Sequence, residues 1–430
     1  MQNRARITAL SAAAACLALT LAACGSGGEE NAGVEGETGT EEVTLSVGTF
    51  NEFGYEELFT EYEELNPNVT IEHKKAATSN EARDNLTTRL AAGSGLSDIE
   101  GIEMDWLPEL LEYSDQFADL SDPAVEGRWL DWKSAAATTE DGQLIGYGTD
   151  AGPQAVCYRA DLFEKAGLPS DRESVADMLD GSWQDYFDAG KKFVAASDGT
   201  AWFDSAGATY QGMINQVENA YEEEDGTVIA TENPEVKDIY EQVLQASVTD
   251  GLSAHLTQWE DDWTASFQSD AFATKLCPGW MLGIIEGNAE GIDGWDIADV
   301  FPGGAGNWGG SYLTIPTQGA NQAEAKKLAE WLTAPEQQIK AFESKGNFPS
   351  QVDALESETL LGQTNAFFND APTGEILVNR ANAIDIRPFK GPKYFPINDA
   401  MQQALTRVDV DETDDPASSW EKFVTAVGAL

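Results

Sequence analysis

Trp280 follows Pro278 and Gly279, and Trp308 precedes Gly309 and Gly310, so both indoles sit in turns rather than at periodic helix or strand positions. Backbone without side chains lets a flat ring and neighbouring amides face a ligand together. Stacking the C–H face of a sugar on such a ring adds about 0.5–1.5 kcal/mol beyond area burial, by analogy with aromatic pairs. The sequence leaves the other reading open, that these are ordinary core tryptophans. Trp259 and Trp263 stand four apart, one face of a helical turn, a spacing that fits core packing better than a binding stripe. Asp262, beside Trp263, is the charged acceptor that a sugar hydroxyl would need next to a stacking ring. Close acid pairs carry no catalytic signal here, because 75 Asp and Glu residues make them inevitable by chance.

The elements that must hold these residues alternate. VTLSVGTF, ending at Phe50, reads as a strand. It is followed by Asn51 and Glu52, the helix YEELFTEYEELNP, the strand VTIEHKKA, the helix EARDNLTTRLAAGSG and the strand SDIEGIEMD. Strand and helix alternating at this spacing predict a parallel sheet with helices on its faces. Ligands of such sheets sit beyond the carboxyl ends of the strands. Here those ends are Phe50, Asn51 and Glu52, and Glu103, Met104, Asp105 and Trp106. Further along the chain, at 295–316, WDIADVF and SYLTIP read as two short strands joined by the turn-rich GGAGNWGG.

At 430 residues the chain calls for two domains or two large lobes. The formal net charge of -50 repels nucleic acid and anionic lipid headgroups, which excludes both as partners, and suits a soluble surface at high salt. Arg4 and Arg6, the apolar run from Ile7 to Leu21 and the ending Leu21-Ala22-Ala23-Cys24 form a signal peptide over residues 1–23. That ending resembles the bacterial lipobox, and the resemblance makes Cys24 a lipid-bearing residue. Residues 24–42 follow as a flexible acidic tether. Cys157 and Cys277 remain in the mature chain, and an even pair outside the cytosol is usually a disulfide. Two strands of one lobe, neighbours in a parallel sheet, would bring them together. With His73 and His255 at unrelated positions they do not make a metal site, and neither metal nor cofactor is expected. DVDETDDP (409–416) lacks the central glycine and closing glutamate of a calcium loop and reads as solvated.

GQLIGYGTDAGPQAVCYRADLFEKAGLP (142–169) and SYLTIPTQGANQAEAKKLAEWLTAPEQQIKAFESKGNFPS (311–350), behind a lipobox, resemble the carbohydrate-specific solute-binding proteins of ATP-driven importers. CYRADLFEKAGLP, CPGWMLG and GNWGGS are similar to actinobacterial binding proteins for cello-oligosaccharides. The resemblance implies an α/β fold of two lobes with a hinge and an interlobe ligand cleft. Lobe 1 would span 43–150 plus 304–357, and lobe 2 would span 151–303 plus 358–430. It implies no enzymatic activity but capture of an oligosaccharide, cellobiose or another short cello-oligosaccharide, by hinge closure. Delivery to the importer's permease subunits would follow, from a monomer lipid-anchored on the outer face of the cytoplasmic membrane. By the same resemblance Trp202 and Phe203 line the cleft, and the helix beginning at Tyr394 starts near the sugar. Gly146, Gly148, Gly152 and Pro153 interrupt an extended segment as a hinge would, leaving Asp150 as either a ligand contact or a hinge-capping carboxylate. An exported glycoside hydrolase and a binding protein for peptides remain as alternatives.

Overall fold

A computed structural model describes residues 41–430; the expected signal peptide, Cys24 and the expected tether as far as residue 40 lie outside the described residues. Strands β1 (Val43–Phe50) and β2 (Val69–Ala76) run parallel, paired from Val43↔Val69 to Phe50↔Ala76. Between them helix α1 (Glu56–Leu65) buries Leu58, Phe59 and Tyr62, the i, i+1, i+4 pattern of one helical face. Helix α2 (Ser79–Ala92) starts where Thr78 accepts the Glu81 backbone N–H and stops at Gly93 in the left-handed region, φ 67°. Strand β3 (Ile99–Glu103) pairs parallel with β1.

The expectation of a parallel sheet holds only for these strands. A late strand, β9 (Ser311–Thr314), inserts antiparallel between β3 and β4 (Gly146–Gly148), giving the mixed order β2-β1-β3-β9-β4. The second sheet is also mixed, in the order β6-β7-β5-β8, from β5 (Gln154–Arg159), β6 (Ala201–Phe203), β7 (Phe272–Pro278) and β8 (Trp295–Ala298). Only β6 and β7 pair parallel; β5 runs antiparallel to both of its neighbours. WDIADVF and SYLTIP therefore do not form a hairpin, because β8 and β9 belong to different sheets and GGAGNWGG carries the chain from one to the other.

Each sheet has its own core. Leu45, Val47, Ile99, Ile102 and Leu313 pack on the first, and Val156, Tyr158, Phe187, Leu276 and Phe301 on the second. Helices α3 (Trp183–Ala196), α4 (Ala206–Ile214) and α9 (Tyr394–Asp409) contribute to the second core. Between α4 and α9 come α5 (Pro234–Leu244), α6 (Asp261–Ser266), α7 (Met281–Asn288) and α8 (Pro335–Lys345). A third apolar cluster joins Ile339 and Phe342 of α8, with Phe348 and Ala354, to Cys277, Met281 and Leu282. The stretch after β9 thus shares packing with the second sheet. Cys157 and Cys277 are joined Sγ to Sγ with their Cα atoms 5.5 Å apart. The strands carrying them are antiparallel, not parallel neighbours as expected.

The chain passes between the sheets at Thr149–Pro153 and again before β9. These two passages are tied to each other. Asp150 Oδ1 accepts both the Thr149 hydroxyl and the Ser311 backbone N–H at 2.8 Å, and Gly152 N–H donates to Asn307 Oδ1 at 2.9 Å. Trp308 N–H donates to Gly152 O, and a Cβ on Gly152 would lie 1.8 Å from Trp308 O, so only glycine allows this approach.

Candidate functional site

A cavity of about 760 Å³ opens at the carboxyl ends of β1 and β3, within the range of pockets that enclose a small ligand. The first sheet contributes Phe50, Asn51, Glu52, Glu103 and Asp105, and the crossing passages contribute Asp150, Trp308, Gly309, Gly310 and Ser311. Opposite stand Trp259, Trp280 and the amino-terminal turns of α4. One face of α9 completes the wall.

Its aromatic surface is a three-ring corner. Trp259 lies nearly parallel to Trp280, with centroids 6.0 Å apart at 30°, and Trp308 meets Trp280 edge-on at 5.5 Å and 84°. The Trp280 indole N–H donates to Trp308 O at 2.9 Å, which fixes the corner from inside. Beneath it lies a fully buried ion pair, Lys275 Nζ to Asp204 Oδ2 at 2.6 Å, and Asp204 also accepts the Trp263 indole N–H at 2.8 Å. Lys275 Nζ is 5.7 Å from the Trp308 ring centroid, so its charge backs the ring that faces the cavity. Burial pulls the Lys275 pKa down, opposed by Asp204.

Charged groups line the other side. Burial, reinforced by Asp105, holds the Glu103 carboxyl well above the usual carboxylate range. Lys133, fully buried behind Gly310 with no hydrogen-bond partner for its Nζ, lies 3.9 Å from the Tyr312 ring centroid. Its pKa is lowered to about 8 by burial, against the attraction of Asp150 and Glu103. Asp105 is bound by Lys390, from the segment leading into α9, in an ion pair almost closed to solvent. Arg83 of α2 lies 4.5 Å from the Phe395 ring centroid, a second contact between the first-sheet side and α9.

Of the residues expected at a ligand, the structure gathers Phe50, Asn51, Glu52, Asp105, Asp150, Trp280, Trp308, Gly309 and Gly310 around this cavity. Two carboxylates among them already have partners: Glu52 pairs with Lys75 at 2.7 Å, and Asp105 with Lys390. Asp150 ties the two crossing passages together and lines the cavity as well.

Six expected residues lie elsewhere. Trp106 is buried in the first core with its indole N–H on Ser79 Oγ, so Ser79 reaches the cavity in its place. Trp202 stacks on Phe163 at 5.3 Å and 15° and Phe203 packs beside Phe187, because helix α3 covers the short edge strand β6 with Tyr186, Phe187 and Phe193. Trp263 is buried against Asp204, and Asp262 projects into solvent from the first turn of α6. Tyr394 is buried while its neighbour Phe395 lines the cavity. The four-residue spacing of Trp259 and Trp263 misled because α6 begins only at Asp261. Trp259 precedes it with a left-handed backbone, φ 79°, that swings its ring into the cleft.

Glu103, at the expected strand end, lines the cavity as well, whereas Trp259, Gln211, Asn398 and Gln402 were not expected there. Gln211 carried a signal, since it is a long polar side chain in the otherwise apolar helix AGATYQGMI.

Two α/β lobes around a cleft, lined by tryptophans on one side and strand ends on the other, define a ligand-binding protein. The chain belongs to the bacterial extracellular solute-binding protein family, whose pattern matches residues 57–368. A crystal structure of an extracellular solute-binding protein family 1 member is 50% identical, covers 90% of this chain and 99% of that one, and superposes with a TM-score of 0.79. The arabinooligosaccharide-binding protein of Bacillus subtilis (strain 168) is 26% identical over 366 residues, 80% of each chain. The fold is shared with the ABC transporter associated binding protein of B. animalis subsp. lactis Bl-04 in complex with beta-1,6-galactobiose, with a TM-score of 0.78, 19% identity and coverage of 91% and 97%. The family consists of extracellular substrate-binding proteins rather than enzymes.

Proposed function

We propose that the protein captures an uncharged oligosaccharide in this cleft by closing its two lobes, and hands it to the permease of an ABC importer. The observation that carries this is the Trp259–Trp280–Trp308 corner facing carboxylates and backbone amides, the pairing of flat apolar rings and acceptors that a sugar requires. The B. subtilis relative is named for arabino-oligosaccharides, which adds that pentose class to the cello-oligosaccharides favoured by the sequence resemblance. Lobe boundaries at 43–150 plus 304–357 and 151–303 plus 358–430, with hinges in the two crossing passages, suit closure of this kind. Cys24 as a lipid anchor and a monomeric state complete the reading. A thermal-shift screen with arabino-, cello- and galacto-oligosaccharides and with oligopeptides tests it: stabilisation by a neutral oligosaccharide supports capture, and stabilisation by peptides alone refutes it.

An uncharged ligand has a further consequence. Although the net charge is -50, raising salt from low to high ionic strength leaves the affinity almost unchanged in a calorimetric titration, because no ligand charge is screened. A steep loss with salt would instead indicate a cationic ligand.

We also infer that Cys157 and Cys277 form a disulfide in the exported protein, confined to the second sheet so that it does not cross the hinge. Reduction lowers the melting temperature, corresponding to about 2–4 kcal/mol for a long closed loop, and leaves the order of sugar preference unchanged. Non-reducing peptide mass spectrometry finds the two peptides linked; two free thiols in the folded protein would refute the bridge.

A further inference from the structure

Asp409 opens the acidic stretch DVDETDDP, yet its side chain is only 1% exposed. At the carboxyl end of α9 it gathers three walls of the cavity. Its carboxylate accepts the Ala206 backbone N–H at the start of α4 at 2.9 Å, the Ser253 hydroxyl at 3.1 Å and the Ser247 hydroxyl. The fourth partner is His255, whose Nδ1 lies 2.8 Å from Asp409 Oδ1. Among the described residues, His255 supplies the only cation within ion-pair distance of this carboxylate. Its imidazole stays 43% exposed, so the ring can exchange its proton with solvent. His255 also turns the chain. Its backbone is left-handed, φ 57°, between Ala254 and Leu256, whose N–H groups donate to Phe203 O and Asp204 O. Residues Leu256 to Glu260 then line the cavity, and Trp259, itself at φ 79°, forms part of the tryptophan corner. A left-handed backbone on a residue with a side chain persists only where surrounding contacts hold it. Two such residues in one loop make the place of the Trp259 ring depend on the loop's anchors.

We propose that His255 is a positioning residue of the cleft: bound to Asp409 it holds the turn that presents Trp259, and oligosaccharide affinity falls when His255 loses its proton. An imidazolium donates to a carboxylate about twice as strongly as a neutral ring does. Without that charge, Asp409 is left buried with no cation beside it. The bond to Asp409 raises the His255 pKa against the effect of burial, and Glu412, just beyond α9, acts in the same direction. Asp411, on the cavity side, is acidic as well. The other elements packed against the loop add no free charge. Helix α4 and the helical turn Gln245–Thr249 carry none, Asp204 after β6 is paired with Lys275, and Arg407 on α9 is paired with Asp414. The charged pair is therefore complete below the ordinary imidazole value and is lost as pH rises through the raised one. The inference rests on the reading of the cleft as an oligosaccharide site and adds how that site is regulated.

Calorimetric titration with arabino- and cello-oligosaccharides from about pH 6 to about pH 9 tests it. In the series that binds, affinity falls about fivefold across the His255 titration, what one net hydrogen bond contributes. Lys133, with a pKa of about 8, titrates in the same range, so the share of His255 is the difference between the wild type and His255→Asn. Asparagine tolerates the left-handed backbone and offers a neutral donor. His255→Asn binds about fivefold more weakly at the acidic end, and in Trp259→Ala the same change has no further effect, because the histidine acts through that ring. Proton NMR reads the coupling from the other side, since the chain holds only two histidines, His73 and His255. Saturation with the sugar moves the His255 titration upward by about 0.7 pH unit, the reciprocal of the fivefold change, and leaves His73 in place. If His255→Asn fails to fold, His73→Asn assigns the two resonances and the wild-type titration still decides. A His255 titration that bound sugar leaves unmoved, or an equal loss on His255→Asn with and without Trp259, overturns this inference and leaves the proposed function standing. Failure of every oligosaccharide to bind overturns the proposed function and this inference with it.

Discussion

Replacing Trp280 or Trp308 by alanine weakens oligosaccharide binding by about tenfold or more, roughly 1.4 kcal/mol, while the protein stays folded. Both rings are only half buried, so their loss removes little from either core. Trp280→Ala also deletes the donor to Trp308 O and so loosens the turn that presents the second ring. Calorimetry on the two folded variants decides the matter; wild-type affinity in either would make that ring structural. Trp202→Ala is the contrasting case, since its fully buried ring stacks on Phe163, and its loss costs stability, about 3–5 kcal/mol.

The second large effect is at Lys275. Its side chain is 0% exposed and its carboxylate partner Asp204 2%. Lys275→Met removes one member of the pair and leaves a buried charge held only by the Trp263 indole, a loss of about 3–5 kcal/mol. At 2–4 °C per kcal/mol for a domain of this size, the melting temperature drops by about 10 °C. Adding Asp204→Leu to Lys275→Met restores part of the loss, because an apolar pair avoids desolvating either charge. A single variant as stable as the wild type, measured by calorimetric unfolding, would show that the pair contributes no net stability.

Elements were legible where local physics alone decides them. The strand VTIEHKKA is β2 from end to end, and the helix EARDNLTTRLAAGSG ends at the glycine expected to stop it. The turn tryptophans were legible for a related reason: Gly309, Gly310 and Gly152 leave room for the backbone to approach, and a glycine-rich turn is visible in one dimension. Sheet direction was not, because β9 enters the first sheet from more than two hundred residues downstream of β3. Burial of an indole was not either. Trp202 is covered because Gly190 on α3 lets the ring approach closely, a relation between segments that no local spacing displays. Nor was the partner of Asp105 visible, since Lys390 comes from the far end of the chain to neutralise it.

The most direct measurement is an isothermal titration of the protein with the oligosaccharide that stabilises it best, followed by mass analysis of the recovered sugar. The expected result is saturable binding of one molecule per chain and a sugar returned intact. Shortened sugar products, or heat only from oligopeptides and none from any oligosaccharide, would contradict it.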